Sequence, residues 1–211
     1  MDKRRVIFTF GRFQPPTYGH MELFKHMGVI ARIDPIVVFP SRVCDEKKND
    51  LNNNPLSVEE KIYYLRNSVP PYPDYGSSPA LAKWISCLNV PEVTNPFNAV
   101  TYLSDTLHFN DITLVVGGDR LIDLQKIKNY INLEDKEKSL NKTQFIHNFQ
   151  VVGSPDRNFI SGTVMRDFVM SGLFQSFVGG LPPNMSVSNA IELYNILGNR
   201  LGQESEISLC R

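Results

Sequence analysis

Short apolar segments alternating with amphipathic ones predict an α/β fold with a mainly parallel sheet and helices on both faces. Two observations carry this reading. The runs "RRVIFTF", "PIVVFP", "DITLVVGG" and "FQVVGS" are short, β-branched and nearly all apolar, as in strands buried on both sides. Between them lie segments whose apolar residues recur at helical spacing, such as Met21, Leu23, Phe24, Met27 and Ile30. The expected architecture is therefore Rossmann-like and doubly wound. Ligands of such sheets bind at the carboxyl ends of the strands, where the strand order reverses.

The elements follow in order. "VIFTF" is the first strand and "HMELFKHMGVIARI" the first helix, and "PIVVFP" is a second strand bounded by Pro35 and Pro40. A long polar loop, "SRVCDEKKNDLNNNP", comes next. Ser57 with Glu60 three residues later is a capping box, so "SVEEKIYYLRNSV" is a helix. The proline-rich "PPYPDYGSSP" connects to "ALAKWISCLNV", a helix running into a short strand. Asn95 as cap and Pro96 at the first helical position open a helix over "NPFNAVTYLSDTLHF". "DITLVV" ends in Gly117 and Gly118, "RLIDLQKIKNYI" is helical, and "NLEDKEKSLNKT" is a solvated loop. After "FQVVGS", "SGTVMRDFVMSG" begins a helix and "SVSNAIELYNILGNRL" is a C-terminal one. The expected organisation is one domain over residues 1–211, with 172–211 as a helical extension. The extension's Ile191, Leu193, Tyr194 and Leu197 would pack on the same domain or on a second copy.

Charge narrows the function. Lysine plus arginine equals aspartate plus glutamate at 22 each, so no broad basic field exists for nucleic acid. A small anionic ligand needs only a local cluster. Cys44, Cys87 and Cys210 are distant and odd in number, and the histidines at 20, 26, 108 and 147 lack zinc-site spacing. With no signal-like apolar leader and no run of ~18 apolar residues, a reducing, cytoplasmic setting without membrane attachment is expected.

The densest chemistry lies in "GRFQPPTYGH". Gly11 permits a sharp turn, and Pro15 and Pro16 delay the helix until Thr17. Thr17 and His20, three residues apart, can project from one side of a helix N-terminus, where an anion is favoured. Arg12 adds charge. In "ISGTVMRDFV", Ser161 and Thr163 occupy a first helical turn and Arg166 follows, making a second phosphate cradle. "GGDR" at 117–120 follows a strand, so Gly117 allows close approach, and Asp119 is either a ligand contact or a helix cap. Arg42, Lys47 and Lys48 in the long loop, and Arg157 before the second cradle, are basic groups suited to an acceptor's phosphate; a solvated charge run is equally open for the lysines. Trp84, Tyr63, Tyr64 and Tyr102 are offered either to a base or to core packing.

"GRFQPPTYGH" resembles the (H/T)xGH signature of the nucleotidyltransferase superfamily, which includes cytidylyltransferases and nicotinamide-mononucleotide adenylyltransferases. "ISGTVMR" resembles its ISSTxxR signature, with Gly162 in place of the second serine. "FPSRVCDEKKNDLNNNPLSVEEK", "VVGGDR" and "GLP" are similar to a branch found in phages and large DNA viruses, which would put the protein in a host cytoplasm. The resemblance implies Thr17, His20 and Arg166 as catalytic, with Gly11, Arg12, Phe13, Gly117, Asp119, Ser161 and Thr163 binding nucleotide. It also implies that the two cradles grip the β- and γ-phosphates and that Asp119 accepts from ribose hydroxyls.

The expected reaction is attack by an acceptor's phosphate oxygen on the α-phosphorus of a nucleoside triphosphate, with pyrophosphate released. Mg²⁺ would be held mainly by the substrate phosphates, with no protein metal site. The resemblance leans to AMP transfer from ATP, with nicotinamide mononucleotide as an acceptor. Cytidylyl transfer from CTP to a phosphorylated alcohol, and a nucleotide sensor without turnover, are the alternatives.

Overall fold

A computed structural model describes residues 2–42, 50–68, 85–154 and 160–208, with side chains to residue 202. Trp84, Cys44, Cys210, the proline-rich segment 70–79 and the helix expected before Ile85 lie outside these residues. The chain divides into two compact units. One comprises residues 1–11, 23–39 and 71–157, the other residues 12–22, 40–70 and 158–211.

The first unit holds a five-stranded parallel sheet. Its strands are β1 (Arg5–Gly11), β2 (Ile36–Pro40), β3 (Ile85–Cys87), β4 (Asp111–Val116) and β5 (Asn148–Gly153). Their order is β3-β2-β1-β4-β5, so the reversal expected of a doubly wound sheet falls between β1 and β4. β1 pairs with β4 from Arg5↔Asp111 to Phe8↔Leu114, and β5 runs beside β4 from Asp111↔Asn148 to Val116↔Gly153.

Both faces of the sheet are buried, which explains why its strands read as unbroken apolar runs. Val6 and Phe8 on β1, Val37 and Phe39 on β2, and Ile112, Leu114 and Val116 on β4 share one cluster. Ala99, Val100 and Leu103 complete it from α3 (Pro96–Thr101) and the turn after it. Residues of the opposite parity, Ile7, Thr9, Val38, Thr113 and Val115, are equally buried. At the amino end of β4, Asp111 is 1% exposed. It is held by Lys3 at 2.8 Å, Asn148 Nδ2–H at 2.8 Å and Arg5 at 3.9 Å.

Sequence and structure differ in two places in this unit. Asn95 caps α3 by accepting from the Asn98 N–H at 2.9 Å, as expected, but from Tyr102 to Thr106 the chain winds as a π-helix. Asp105 in that turn accepts the N–H groups of Lys142 and Thr143 at 2.9 and 3.4 Å. The segment "NLEDKEKSLNKT", expected to be solvated, is exposed at residues 134–138 and 142–143 but not between them. Asn141 is fully buried, with its Oδ1 accepting from Asn132 N–H at 2.7 Å and its Nδ2 donating to Gln144 O at 2.9 Å. A polar segment can zip itself with amide side chains, a pattern invisible to hydrophobic periodicity.

The second unit is helical. α1 (Tyr18–Ala31) begins in it, and α2 (Val58–Ser68), α5 (Gly162–Met170), α6 (Phe174–Gly180) and α7 (Val187–Ser208) belong to it; α4 (Leu121–Gln125) lies in the first unit. α6 was not expected from sequence; "FQSFVGG" is too short and glycine-rich for a helical signal. Ala190, Leu193, Leu197 and Leu201 form a buried stripe on α7. That stripe shares a core with Leu56, Tyr64, Met165, Val169 and Phe177, and Tyr194 meets Phe174 and Phe177 edge-on. Leu193 and Leu197 thus pack within their own unit, whereas Ile191 is 45% exposed. No helix among the described residues is long and apolar enough to cross a membrane.

Candidate active site

From Arg12 onward the first motif folds as a tight turn in the second unit. β1 stops at Gly11, but the left-handed residue of the turn is Phe13, with φ 47°, rather than the glycine. A bulky residue held in that region is a cost tolerated where the surroundings impose it. Here Phe13 is 1% exposed, and its ring lies 4.7 Å from the His20 ring. The Gln14–Pro15 peptide is cis.

Thr17 caps α1 in a reciprocal pairing. The His20 N–H donates to Thr17 O at 3.0 Å, and the Thr17 N–H donates to His20 Nδ1 at 2.9 Å. This is the return half of a capping box, with the histidine ring taking the place of the usual glutamate, while the His20 N–H closes a turn on the Thr17 carbonyl rather than on its hydroxyl. The Thr17 hydroxyl, in a side chain only 3% exposed, also lies 3.0 Å from Nδ1. An N–H can only donate, so Nδ1 is the acceptor and neutral His20 carries its proton on Nε2. The two residues therefore form one unit that presents an Nε2–H.

The second motif opens α5 (Gly162–Met170). Ser161 is the N-cap of α5, its Oγ accepting from the Val164 N–H at 3.3 Å. Arg166 is 7% exposed and donates from Nη1 to Gln14 O at 2.7 Å and from Nη2 to Thr163 Oγ1 at 3.3 Å. The two signatures, 152 positions apart at this bond, thus meet inside the second unit. Gly162 is required by the same approach, because a Cβ there would lie 2.7 Å from Gln14 O. Burial holds the Arg166 guanidinium below the ordinary arginine range, and the nearby Arg12 charge adds to this. A buried guanidinium repelled by another is relieved by an anion between them.

Arg12 is steadied by residues the sequence reading did not single out. Its Nη2 donates to Asn53 O at 2.9 Å and to Asn54 Oδ1 at 2.8 Å. Asp50 in turn accepts from Asn53 Nδ2 and Asn54 Nδ2 at 2.8 and 3.0 Å. Gln14 is 3% exposed; it donates from Nε2 to Leu56 O at 2.9 Å and accepts the Leu56 N–H at 2.8 Å. Lys61, fully buried on α2, donates to Ser41 O at 2.7 Å, next to Arg42. The Ser57–Glu60 box forms as expected, and Arg200 on α7 adds a fork onto Glu60 at 2.6 and 2.7 Å. The sequence carries no local clue to these partners, because Leu56 lies 42 positions from Gln14 and Ser41 lies 20 from Lys61.

In the first unit, Gly11 and Gly117 end or follow the two strands that flank the order reversal. Asp119 lies within a 3-10 turn, Gly118–Arg120, whose cap is Gly117, so it is not a helix cap. Its carboxylate is 80% exposed and 3.6 Å from Arg120 Nε. Tyr64 and Tyr102 serve packing, in the helical core and against Phe39 respectively, while Tyr63 is 47% exposed. Lys47, Lys48 and Arg157 lie outside the described residues.

No curated protein sequence matches the chain. Plasmodium falciparum nicotinic acid mononucleotide adenylyltransferase complexed with APC superposes with a TM-score of 0.56 at 14% identity, over 92% of this chain and 97% of that one. Its complex with NaAD gives 0.56 at 15% identity, over 92% and 98%. Thermotoga maritima TmcAL bound with alpha-thio ATP gives 0.52 at 11% identity, over 94% of this chain and 56% of that one. At such identities the likeness shows the fold. The cytidylyltransferase-like family profile matches residues 8–168, a span running from β1 through both signatures. The chain belongs to the cytidylyltransferase-like family and is a nucleotidyltransferase.

Proposed function

We propose that the enzyme transfers AMP from ATP onto the phosphate of a small-molecule acceptor, a pyridine mononucleotide being the first candidate. The observation that carries it is the convergence of the Thr17–His20 pair, Arg12 and Arg166 within one unit. The adenine nucleotide is suggested by the solved relatives, whose titles name an adenylyltransferase and alpha-thio ATP. The family's description keeps CTP as the second nucleotide to test.

In this reading an acceptor phosphate oxygen attacks the α-phosphorus, the bond to the bridging oxygen breaks, and pyrophosphate leaves with the negative charge. The protein does no covalent chemistry; rate comes from alignment and from donors aimed at charge that grows in the transition state. His20 Nε2–H and the Arg166 N–H groups not spent on Gln14 and Thr163 are those donors. Ser161 and Thr163 present the α5 N-terminus to the β- and γ-phosphates. Asp119 binds ribose hydroxyls, and Arg42, Lys47, Lys48 and Arg157 meet the acceptor. Mg²⁺, which would neutralise phosphate charge, would be held mainly by the substrate phosphates themselves, since the His20 Nε2–H and the Arg166 guanidinium are donors that suit phosphate oxygens and not a cation.

The test is pyrophosphate release from each nucleoside triphosphate with a panel of phosphorylated acceptors that includes nicotinic acid and nicotinamide mononucleotides. Turnover with ATP and a mononucleotide supports the reading. Turnover confined to CTP and phosphorylated alcohols replaces it.

A further inference from the structure

Gln14 lies inside the first signature but touches two distant segments. Its side-chain amide pairs both ways with the main chain of Leu56, at 2.9 and 2.8 Å. Its carbonyl accepts Arg166 Nη1 at 2.7 Å. That same carbonyl lies where any side chain at 162 would collide, 2.7 Å from an added Cβ. The loop fixed through Leu56 is the one whose Asn53 and Asn54 hold Arg12, with Asp50 behind them.

A buried amide has four hydrogen-bonding sites at most, and an apolar residue would be the ordinary choice at a 3% exposed position. Packing alone does not require a glutamine. What the amide adds is a two-way, strand-like register between residues 14 and 56. A one-way contact would let the 50–56 loop slide; the reciprocal pair does not.

We infer that Gln14 is a positioning residue that holds Arg12 and Arg166 as one clamp for a polyphosphate. Its side chain fixes the loop that orients Arg12, and its main chain fixes Arg166. Like charges so held are pre-organised for an anion, since neither guanidinium can swing away when the site is empty. The inference rests on the phosphate-binding reading above for the identity of the ligand, but not on turnover.

The experiment uses the full chain with Gln14→Met, similar in length but unable to pair with Leu56, and Gln14→Glu, which keeps the acceptor and loses the donor. Inorganic tripolyphosphate is the probe, read by thermal stabilisation at fixed ionic strength. Wild-type protein is stabilised. The apparent affinity falls at least ~10-fold in Gln14→Met and at least as far in Gln14→Glu, whose carboxylate cannot donate to Leu56 O and puts negative charge beside the clamp, in line with the ~10²-fold losses that small misplacements produce. With the nucleotide and acceptor found active, KM for the nucleotide rises or kcat falls while KM for the acceptor is unchanged, a split that general loosening would not give. Should Gln14→Met fail to fold, Gln14→Glu carries the test. Equal tripolyphosphate binding in wild type and the folded variants overturns the assignment, as does no binding by wild type. Loss of binding in the variants alongside an inactive wild type would leave Gln14 in place and remove the transferase reading instead.

Discussion

The main-chain N–H of Thr17 points at Nδ1 of His20 from 2.9 Å, and this one bond decides which edge of the imidazole carries a proton. An imidazole whose Nδ1 lone pair is taken presents Nε2–H as a fixed donor. The donor's direction is thus built into the first turn of α1 and does not depend on a ligand.

His20→Ala removes that donor and should lower kcat by ~10²–10³, the range found when one charge-stabilising donor is deleted. Thr17→Val keeps the main-chain N–H and loses only the hydroxyl. Its loss should be about fivefold, matching the ~1 kcal/mol of one neutral hydrogen bond. Steady-state pyrophosphate release measures both, and equal losses in the two variants would contradict the division of labour between N–H and hydroxyl.

Arg166→Lys should fail nearly as badly as Arg166→Ala. Lysine is a point charge and cannot reach Gln14 O and Thr163 Oγ1 as a planar fork does. The expected loss in kcat is ~10²–10³ for each, with circular dichroism showing the helices retained. Rescue by lysine would mean that charge alone suffices.

Gly162→Ser would restore the commoner form of the second signature and should nevertheless be harmful here. The added Cβ meets Gln14 O at 2.7 Å, main chain that cannot rotate away. Overpacking of this kind costs ~1–3 kcal/mol. For the alanine variant this exceeds the ~1 kcal/mol that alanine gains over glycine in a helix. Thermal melting of Gly162→Ala and Gly162→Ser tests the point, and a rise in Tm for either would show that the turn at Gln14 is free to yield.

Glu60 gives a pH-dependent signature. Burial raises its pKa, but the Arg200 hydrogen bonds, the Ser57 N–H and the Arg200 charge outweigh that and leave it below the usual glutamate range. A carboxylate with a depressed folded pKa adds stability above its unfolded value, about 4.3, and loses it as pH falls through the folded value. Arg200→Met should therefore lower Tm by a constant amount at neutral pH, and the gap should narrow below about pH 4.3. A gap that widens on acidification would exclude the ion pair as its cause.

The strands were legible because burial on both faces writes itself as continuous apolar sequence, and "DITLVV" needed no other signal. The caps at Ser57, Asn95 and Ser161 were legible because capping is local: donor and acceptor lie three residues apart. The same locality made Thr17 and His20 visible as a pair, though not their hydrogen-bond direction. The role of Gln14 is not legible in the sequence because its partners, Leu56 and Arg166, are 42 and 152 residues away. The zipped loop at Asn132 and Asn141 leaves no mark in the sequence because amide pairing has no periodicity.

By itself, then, the sequence determined the α/β class, the approximate place of each strand and most helices, and the two signatures that identify the family. All of these depend on neighbours within a few residues or on apolar period. Only the tertiary structure decided that Arg166 reaches the Gln14 carbonyl, that residue 162 must lack a side chain, and that Arg12 is held by the 50–54 loop. Those are meetings between distant segments, and their register is set by packing in three dimensions rather than by any pattern along the chain.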